Sequence, residues 1–369
     1  LILMEEDGEL HNKICWGVGE QFVRSLIYEG GQDIATYCFQ HQSPVVLADL
    51  GLKSDEGIVV QSLIASPIQT RDKCLGVMIV INRFDGGNFT EPDQEALSML
   101  LNFVAVAVEN SSLVRDKLKQ QEIAQEMAVA KQVQETILAD QVDHIQGAEI
   151  GAVYFPAGEV GGDFYDVLKL SDSAFMVILG DVSNKGIPAA LIMSACSGVI
   201  KSILDGNPGI SVSELAQTVN RLMAESIIKE REMFVTMFFA RFDLDQMVLT
   251  YCNAGHIPGL FWDNIERAIA ELPEGGPIVG QFGDVPYRLG ERSISPGDRL
   301  FLFTDGLTEA MDTKNQLFGR ERAEQVFISE VDLRPADFCH RVKEWVDRFA
   351  EGAPEDSRDD FTILQVKVS

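Results

Sequence analysis

Hydrophobic and polar positions change period along this chain, and the changes divide it into three stretches. Up to about residue 110, short apolar runs of strand length (Val45–Leu47, Ser62–Pro67, Leu75–Asn82) alternate with a helical pattern over Gly19–Tyr28. Asp7-Gly8, Gly30-Gly31 and Asp85-Gly86-Gly87 supply the turns between them. Thr90-Glu91-Pro92-Asp93 reads as a helix start with an acidic first turn. From there Leu97, Leu100, Val104, Val108, Ser111 and Val114, then Ile123, Met127, Ala130, Gln134 and Ile137, repeat at three- and four-residue spacing. No Gly or Pro interrupts Asp93 to Asp140. The pattern predicts one helix of roughly 45 residues, or two shorter ones bent near residues 110–121 where the spacing slips by a residue. Such a helix cannot bury its stripe in one small domain, so it is expected to pair with a second chain or to span two domains.

Beyond Gln146 strand and helix patterns alternate. Strands are expected at Glu149–Phe155, Asp166–Leu170, Ala174–Leu179, Met233–Phe242, Met247–Cys252, Ile257–Trp262, Asp298–Thr304 and Phe361–Val368. Pro188 opens one apolar helix, where its missing N–H costs nothing. Ser211 and Glu214 form a capping box for a second, and two more helices fill Arg320–Ile328 and Ala336–Phe349. Strand groups bracketing helix pairs predict two sheets face to face with helices outside, an α+β fold of αββα layering.

One hairpin organises this part. Ser171-Asp172-Ser173 is its turn, and a register symmetric about Asp172 sets Asp163 opposite Asp181, each beside glycines that permit close approach. Two facing carboxylates repel and call for a shared cation or proton; as turn residues they would simply be solvated. Asp305 and Asp359 also stand at strand ends, with Asp360 beside the latter. Oxygen donors at strand ends suit hard cations, magnesium or manganese, rather than zinc.

Composition narrows the rest. Asp and Glu outnumber Lys and Arg 57 to 30, a formal charge of -27, which leaves little basic surface for nucleic acid or an anionic membrane. The six cysteines form no Cys-x-x-Cys pair, as expected of a reducing, cytoplasmic setting. No continuous apolar run reaches membrane-span length, so no membrane contact is expected within this stretch. The chain opens without methionine inside a strand-like segment, which implies a fragment of something longer.

Two resemblances follow from these motifs. Residues 1–110, with Ser62-x-x-Ala65-Ser66-Pro67-Ile68, Leu75–Asn82, Phe89-Thr90-Glu91-Pro92-Asp93 and Ala105–Asn110, resemble a GAF sensory domain. Asn82-Arg83, Phe89 and Asp93-Gln94 echo the signature of cyclic-nucleotide-binding GAF domains. Arg stands for Lys and Gln for Glu, which favours another small-molecule ligand or dimerisation alone. Residues 145–369 resemble the bacterial branch of the metal-dependent PPM protein phosphatases, related to protein phosphatase 2C and to sporulation and stress-response sigma-factor regulators. The resemblance rests on Pro156–Asp166, Leu179–Ala190, Asn253-Ala254-Gly255-His256, Phe303–Ala310 and Asp359–Thr362, in that order. Residues 111–144 then form a helical linker, and Ala130–Leu138 resembles the helix that precedes the phosphatase domain in the family.

The PPM resemblance implies a signal-regulated serine/threonine phosphatase using two Mn2+ or Mg2+ ions. By that resemblance Asp181 bridges the ions and the Val182 carbonyl joins the second. Asp305 and Asp359 complete the first ion's shell, Asp163 holds coordinated water or an ion, and Asp360 rivals Asp359. The implied chemistry is in-line attack of an activated water on a phosphoserine or phosphothreonine. The implied substrate is a small phosphorylated regulatory protein such as an anti-sigma-factor antagonist, with a homodimer formed through the linker. Ser183 replaces the histidine of eukaryotic relatives, Asn184 replaces a usual Gly, no arginine near Pro156 matches the eukaryotic phosphate-binding one, and His256 reads as a structural turn residue rather than an acid. The competing reading is a catalytically silent pseudophosphatase scaffold.

Overall fold

The computed structural model describes residues 1–17, 19–54, 57–139, 145–228, 233–354 and 358–369. It separates into two compact units, Leu1–Ile123 and Ala124–Ser369. Ser357 and residues 140–144 of the expected linker lie outside the described residues.

In the first unit the chain runs β1 (Ile2–Glu6), β2 (Glu9–Ile14), α1 (Glu20–Ser25), α2 (Ile34–His41), β3 (Val45–Leu47), β4 (Leu52–Lys53), β5 (Val59–Val60), β6 (Leu63–Gln69) and β7 (Cys74–Ile81). The order β2-β1-β7-β6-β3 makes one antiparallel sheet. Leu3, Leu63, Ala65, Val77 and Ile79 on its inner face pack against Val23 of α1 and Ile34 and Cys38 of α2. The nucleotide-signature residues are engaged internally: Asn82 Nδ2 donates to the Val59 carbonyl, its Oδ1 accepts from Gln61 N–H, and Arg83 pairs with Asp85 and Asp93.

The long helical pattern forms one helix, α3 (Glu91–Ala139), 49 residues from end to end. Much of its apolar stripe stays in solvent, including Phe103, Leu113, Val114, Leu118, Val129 and Val133.

The second unit contains β8 (Ala148–Phe155), β9 (Phe164–Lys169), β10 (Ala174–Val182), α4 (Ile187–Gly206), α5 (Val212–Leu222), β11 (Val235–Asp243), β12 (Val248–Ala254), β13 (Gly259–Asp263), β14 (Ala268–Leu272), β15 (Gly275–Gly276), β16 (Gly290–Ser293), β17 (Arg299–Phe303), α6 (Asp305–Thr308), α7 (Gly319–Ser329), α8 (Pro335–Phe349) and β18 (Phe361–Val368). One sheet runs β15-β12-β11-β10-β9, with β16 also on β12; the other runs β14-β13-β17-β18-β8. Phe175, Val177, Leu179, Phe238 and Phe242 of the first meet Phe261, Leu300, Leu302, Leu364 and Val366 of the second, filling the space between them. Each such fully buried side chain contributes roughly 1.5–3 kcal/mol from desolvation. Helices α4 and α5 cover the outer face of the first sheet through Ile192, Met193, Cys196, Leu215 and Val219. Helices α7 and α8 cover the second through Phe327, Phe338 and Val342. The layering is αββα.

Local signals are observed where the sequence placed them. Pro188 lies in the first turn of α4, and Ser211 and Glu214 close both bonds of the capping box on α5. Although no continuous apolar run reaches span length, α3 and α4 each contain a window long and apolar enough to cross a membrane by length and composition. In α4 the apolar side chains are those that cover the sheet, as in the core helix of a globular domain. Cys38, Cys196, Cys252 and Cys339 are buried, and burial pushes their thiols upward (the first three to about 12), so they behave as small apolar side chains.

Candidate active site

Pairing of β9 with β10 is symmetric about Asp172, from Phe175 opposite Lys169 to Gly180 opposite Phe164. The next step of that register places Asp163 across from Asp181. Gly180 is required there, because a Cβ would meet the Phe164 ring at 2.3 Å. In the other sheet β17 ends and β18 begins side by side, Phe303 opposite Ile363. This brings Asp305, at the start of α6, to the same end as Asp359 and Asp360.

The two sheets are tied together at this end through Asp163, which is almost wholly buried. Its Oδ2 accepts from Thr304 Oγ1 at 2.7 Å and from Thr362 Oγ1 at 2.6 Å. Neither threonine was singled out from sequence, although both lie inside the quoted Phe-Thr-Asp-Gly and Asp-Phe-Thr motifs. Their hydroxyls only acquire a purpose once residues far apart in the chain meet.

The acids raise one another. Burial, then the charge of Asp181, pushes Asp163 well above the usual carboxylate range. Asp181 rises to about 7, first through burial and then through Asp305 and Asp359, while a hydrogen bond with Asp163 pulls it back. Asp305 rises to about 6 through burial, Asp359 and Glu309, opposed by its Gly306 backbone bond and by Lys185. Lys185 sets its ammonium 2.9 Å from Asp359 Oδ1 and donates to the Arg358 carbonyl at 3.0 Å.

The neighbouring aspartates divide their work. Both oxygens of Asp360 are committed to backbone N–H groups, Oδ1 to Ala157 at 2.7 Å and Oδ2 to Gly162 at 2.6 Å. Asp359 is partly exposed and faces Lys185; its Oδ1 also accepts from the Asp360 N–H at 2.8 Å. Val182, the last residue of β10, lines the same turn, its carbonyl 2.9 Å from where a Gly162 Cβ would stand. Beyond it Ser183 is used in the backbone ladder, its Oγ accepting from Phe234 N–H and its N–H donating to Phe234 O. Asn184 occupies the left-handed region (φ 69°), which Asn tolerates and where Gly would also fit.

His256 lies away from solvent between the sheets. Its Nε2 is 3.1 Å from the Phe303 carbonyl and its Nδ1 2.8 Å from Thr236 Oγ1. A carbonyl only accepts, so Nε2 carries the proton and Nδ1 accepts from the threonine. Burial lowers the imidazole to about 4. Thr236 pairs with Asp181 across β10 and β11, so this ring joins the strand behind Asp181 to the end of β17.

A cavity of about 560 Å3 opens beside Asp359 and Gly306, bounded by Pro156, Phe361, Lys343 and Arg358 among others. The donor set of the acidic site is oxygen only, and the elevation of Asp181 by Asp305 and Asp359, and of Asp305 by Asp359 and Glu309, reflects negative charge gathered beside burial. In that chemical sense the residues fit hard divalent cations. Among the described residues no three His, Cys, Asp or Glu side chains close on one point as a ready metal shell.

Comparison with known proteins gives the family. A family profile described as "Stage II sporulation protein E (SpoIIE)" matches residues 171–369, and a GAF domain profile matches residues 1–108. The chain belongs to the SpoIIE family. This SpoIIE-family chain is a PP2C-type serine/threonine phosphatase of the branch that includes RsbU and RsbP, with a GAF domain at its N-terminal side. It is 31% identical to "Phosphoserine phosphatase RsbU" of Bacillus subtilis (strain 168) over 257 residues, 67% of this chain and 71% of RsbU. It is 30% identical to "Protein IcfG" of Synechocystis over 297 residues, 74% of this chain but 46% of IcfG. Among solved structures, the SiaA-PP2C domain of Pseudomonas aeruginosa aligns with a TM-score of 0.61 at 20% identity, over 68% of this chain and 99% of that one. The RsbU and RsbW domains of Rv1364c from Mycobacterium tuberculosis align with a TM-score of 0.51 at 25% identity, over 61% of this chain and 60% of that one.

Proposed function

We propose that the second unit is a metal-dependent protein phosphatase that hydrolyses phosphoserine or phosphothreonine on a small regulatory protein, under control of the GAF domain. The observation that carries this reading is the meeting of Asp163, Asp181, Asp305 and Asp359 from both sheets, with Asp181 raised by burial and then by Asp305 and Asp359, and Asp305 raised by burial and then by Asp359 and Glu309. These four, with the Val182 carbonyl, would hold two Mn2+ or Mg2+ ions. Such ions, when bound, supply an activated water and charge neutralisation for in-line phosphoryl transfer.

The chain's own residues do the rest. Thr304 and Thr362 fix the Asp163 carboxylate, and Asp360 fixes the turn before it, leaving Asp359 as the ligand of that pair. Arg358, which lines the cavity beside Asp359, offers a cation toward a phosphate, Lys185 pairs with Asp359, and the apolar wall at Pro156 and Phe361 suits the residues flanking a phosphorylated side chain. Ser183 is committed to the backbone, so proton delivery to the leaving group falls to solvent. The cytoplasm is the setting this reading implies, consistent with the burial of Cys38, Cys74, Cys196, Cys252 and Cys339 as free thiols.

The test is turnover of p-nitrophenyl phosphate and of a phosphoserine protein with manganese. Hydrolysis with manganese and none with chelator supports the enzyme; no hydrolysis of any phosphoprotein supports the scaffold. The exposed apolar side chains of α3 further support pairing of two chains along this helix. Light scattering is expected to give a dimer, and Leu118→Glu, in the exposed stripe, a monomer. A wild-type monomer at high concentration contradicts the pairing.

A further inference from the structure

Strand β8 ends on a large ring that the fold leaves uncovered. Phe155, its last residue, is 44% exposed, yet the ring is held on two sides. Phe361, its register partner at the start of β18, lies at a ring separation of 6.4 Å, and the Lys343 ammonium stands 4.7 Å from the Phe155 ring centre. A tilted neighbouring ring and a cation over the face are both favourable contacts, so the ring is kept in place without being buried. A side chain fixed in this way pays little further ordering when a partner packs on it.

Phe155 forms one wall of the cavity of about 560 Å3 beside the acidic site. Gly306, next to Asp305, and Asp359 itself border that cavity, so its occupant lies in reach of a phosphorylated side chain at the acids. Elsewhere the lining is apolar: Pro156, Met311, Val346, Ala350 and Ala353 accompany Phe155. No Ser, Thr, Asn or Gln is among the described residues that line it. The charged side chains nearly cancel, Lys343 and Arg358 against Asp347, Glu351 and Asp359, and the Lys343 charge is already met by Asp347 at 2.5 Å. A polar occupant finds few directional partners in such a lining, whereas an apolar one gains from desolvation.

We propose that this cavity is a specificity subsite, which takes an apolar side chain of the leucine or phenylalanine kind flanking the phosphorylated residue of a protein substrate. The proposal rests on the phosphatase reading above. Consecutive Cα atoms stand about 3.8 Å apart, so a residue one or two positions from the phosphoserine enters the cavity while the phosphate stays at the acids. Phe155 and Met311 then set the sequence preference, and the aspartates set the reaction. A basic flanking residue is the competing occupant, drawn by Asp347 and Glu351; the pairing of Asp347 with Lys343 weighs against it.

The experiment measures kcat/KM with manganese on phosphoserine peptides of one length, in which one position within two of the phosphoserine carries Phe, Leu, Ala, Lys or Asp. The reference substrate is p-nitrophenyl phosphate, which has no flanking residue. Wild type is expected to prefer Phe or Leu over Ala by about 10-fold or more at one of these positions, the scale of discrimination an apolar pocket gives, with Lys and Asp no better than Ala. Phe155→Ala should cut that preference to about threefold or less. Met311→Glu, which sets a carboxylate among the apolar walls, should abolish it and favour Lys. Each variant is judged by the ratio between peptides, which a partly unfolded or partly metal-loaded preparation leaves unchanged. Glu344→Ala, on the exposed side of α8 and outside the cavity lining, should keep the wild-type ratio. Equal rates on all peptides, a preference for Lys or Asp, or a wild-type preference that survives in both pocket variants overturns the proposal. So does hydrolysis of p-nitrophenyl phosphate but of no peptide, because no flanking residue is then accepted. Inactivity toward p-nitrophenyl phosphate and peptides alike is a different result: it removes the phosphatase reading itself, and the proposal with it.

Discussion

Asp181→Asn is expected to lower turnover by more than about 100-fold, beyond the upper end of what changes to ligand-orienting partners cost, and at the same time to stabilise the metal-free protein at alkaline pH. Asp181 stands nearest the centre of the acidic site: its elevation to about 7 comes from burial first and then from Asp305 and Asp359. The sign of the stability effect follows from linkage. A carboxyl raised in the folded state contributes most below its unfolded value near 4, and that contribution is lost as pH rises through 7. At pH 8 the metal-free wild type therefore bears a repulsion, on the order of a few kcal/mol, that the neutral amide lacks. Melting without metal should give Asp181→Asn the higher Tm at pH 8, with the gap closing toward pH 4. Asp305→Asn should follow the same pattern more weakly, its carboxyl being raised only to about 6. Retained activity, or inactivity accompanied by a lower Tm at pH 8, contradicts the assignment.

The second large effect belongs to His256 and has the opposite sign. Burial lowers this imidazole to about 4, and both ring nitrogens are engaged, with Thr236 and with the Phe303 carbonyl. A histidine lowered in the folded state gives its full contribution above its unfolded value near 6.5, and loses it as pH falls toward 4. The shift corresponds to about 3 kcal/mol of acid destabilisation. Because Asp181 and Asp305 push the other way over an overlapping range, the informative quantity is the difference between wild type and His256→Gln. That difference should be large at pH 7.5, where the variant lacks the bridge between Thr236 and Phe303, and should shrink between pH 6.5 and pH 4. A difference independent of pH means that the imidazole is not held neutral. In either case the His256 ring joins Thr236 of β11 to the Phe303 carbonyl of β17, a structural role like the turn role read from Asn253-Ala254-Gly255-His256.

Legibility from sequence followed the range of the interaction. The β9–β10 register was readable because Ser171-Asp172-Ser173 fixes its turn and the flanking runs have strand composition. Once the register is symmetric about Asp172, the facing of Asp163 and Asp181 is forced. The capping box of α5 and Pro188 in α4 are equally local. Helix α2 went unread because its pattern is mixed and its start depends on Asp33 accepting from the Ala35 and Thr36 N–H groups. Strand β14 is short, with Ala and Glu among its five residues, and is a strand because β13 pairs with it. The division of labour between Asp359 and Asp360 was beyond sequence for a geometric reason. Adjacent residues in extended backbone face opposite ways, and which of them meets Ala157 and Gly162 depends on a segment about 200 residues earlier. The same holds for Thr304 and Thr362, whose partners are remote in the chain.

The central claim is that the four strand-end aspartates form a site for two divalent cations. Calorimetric titration of the metal-free chain with manganese tests it most directly. The account predicts two ions bound per chain in the wild type, with binding lost or reduced to a single weak event in Asp181→Asn. Manganese binding of equal stoichiometry and affinity in the two proteins, or none in the wild type, would contradict it.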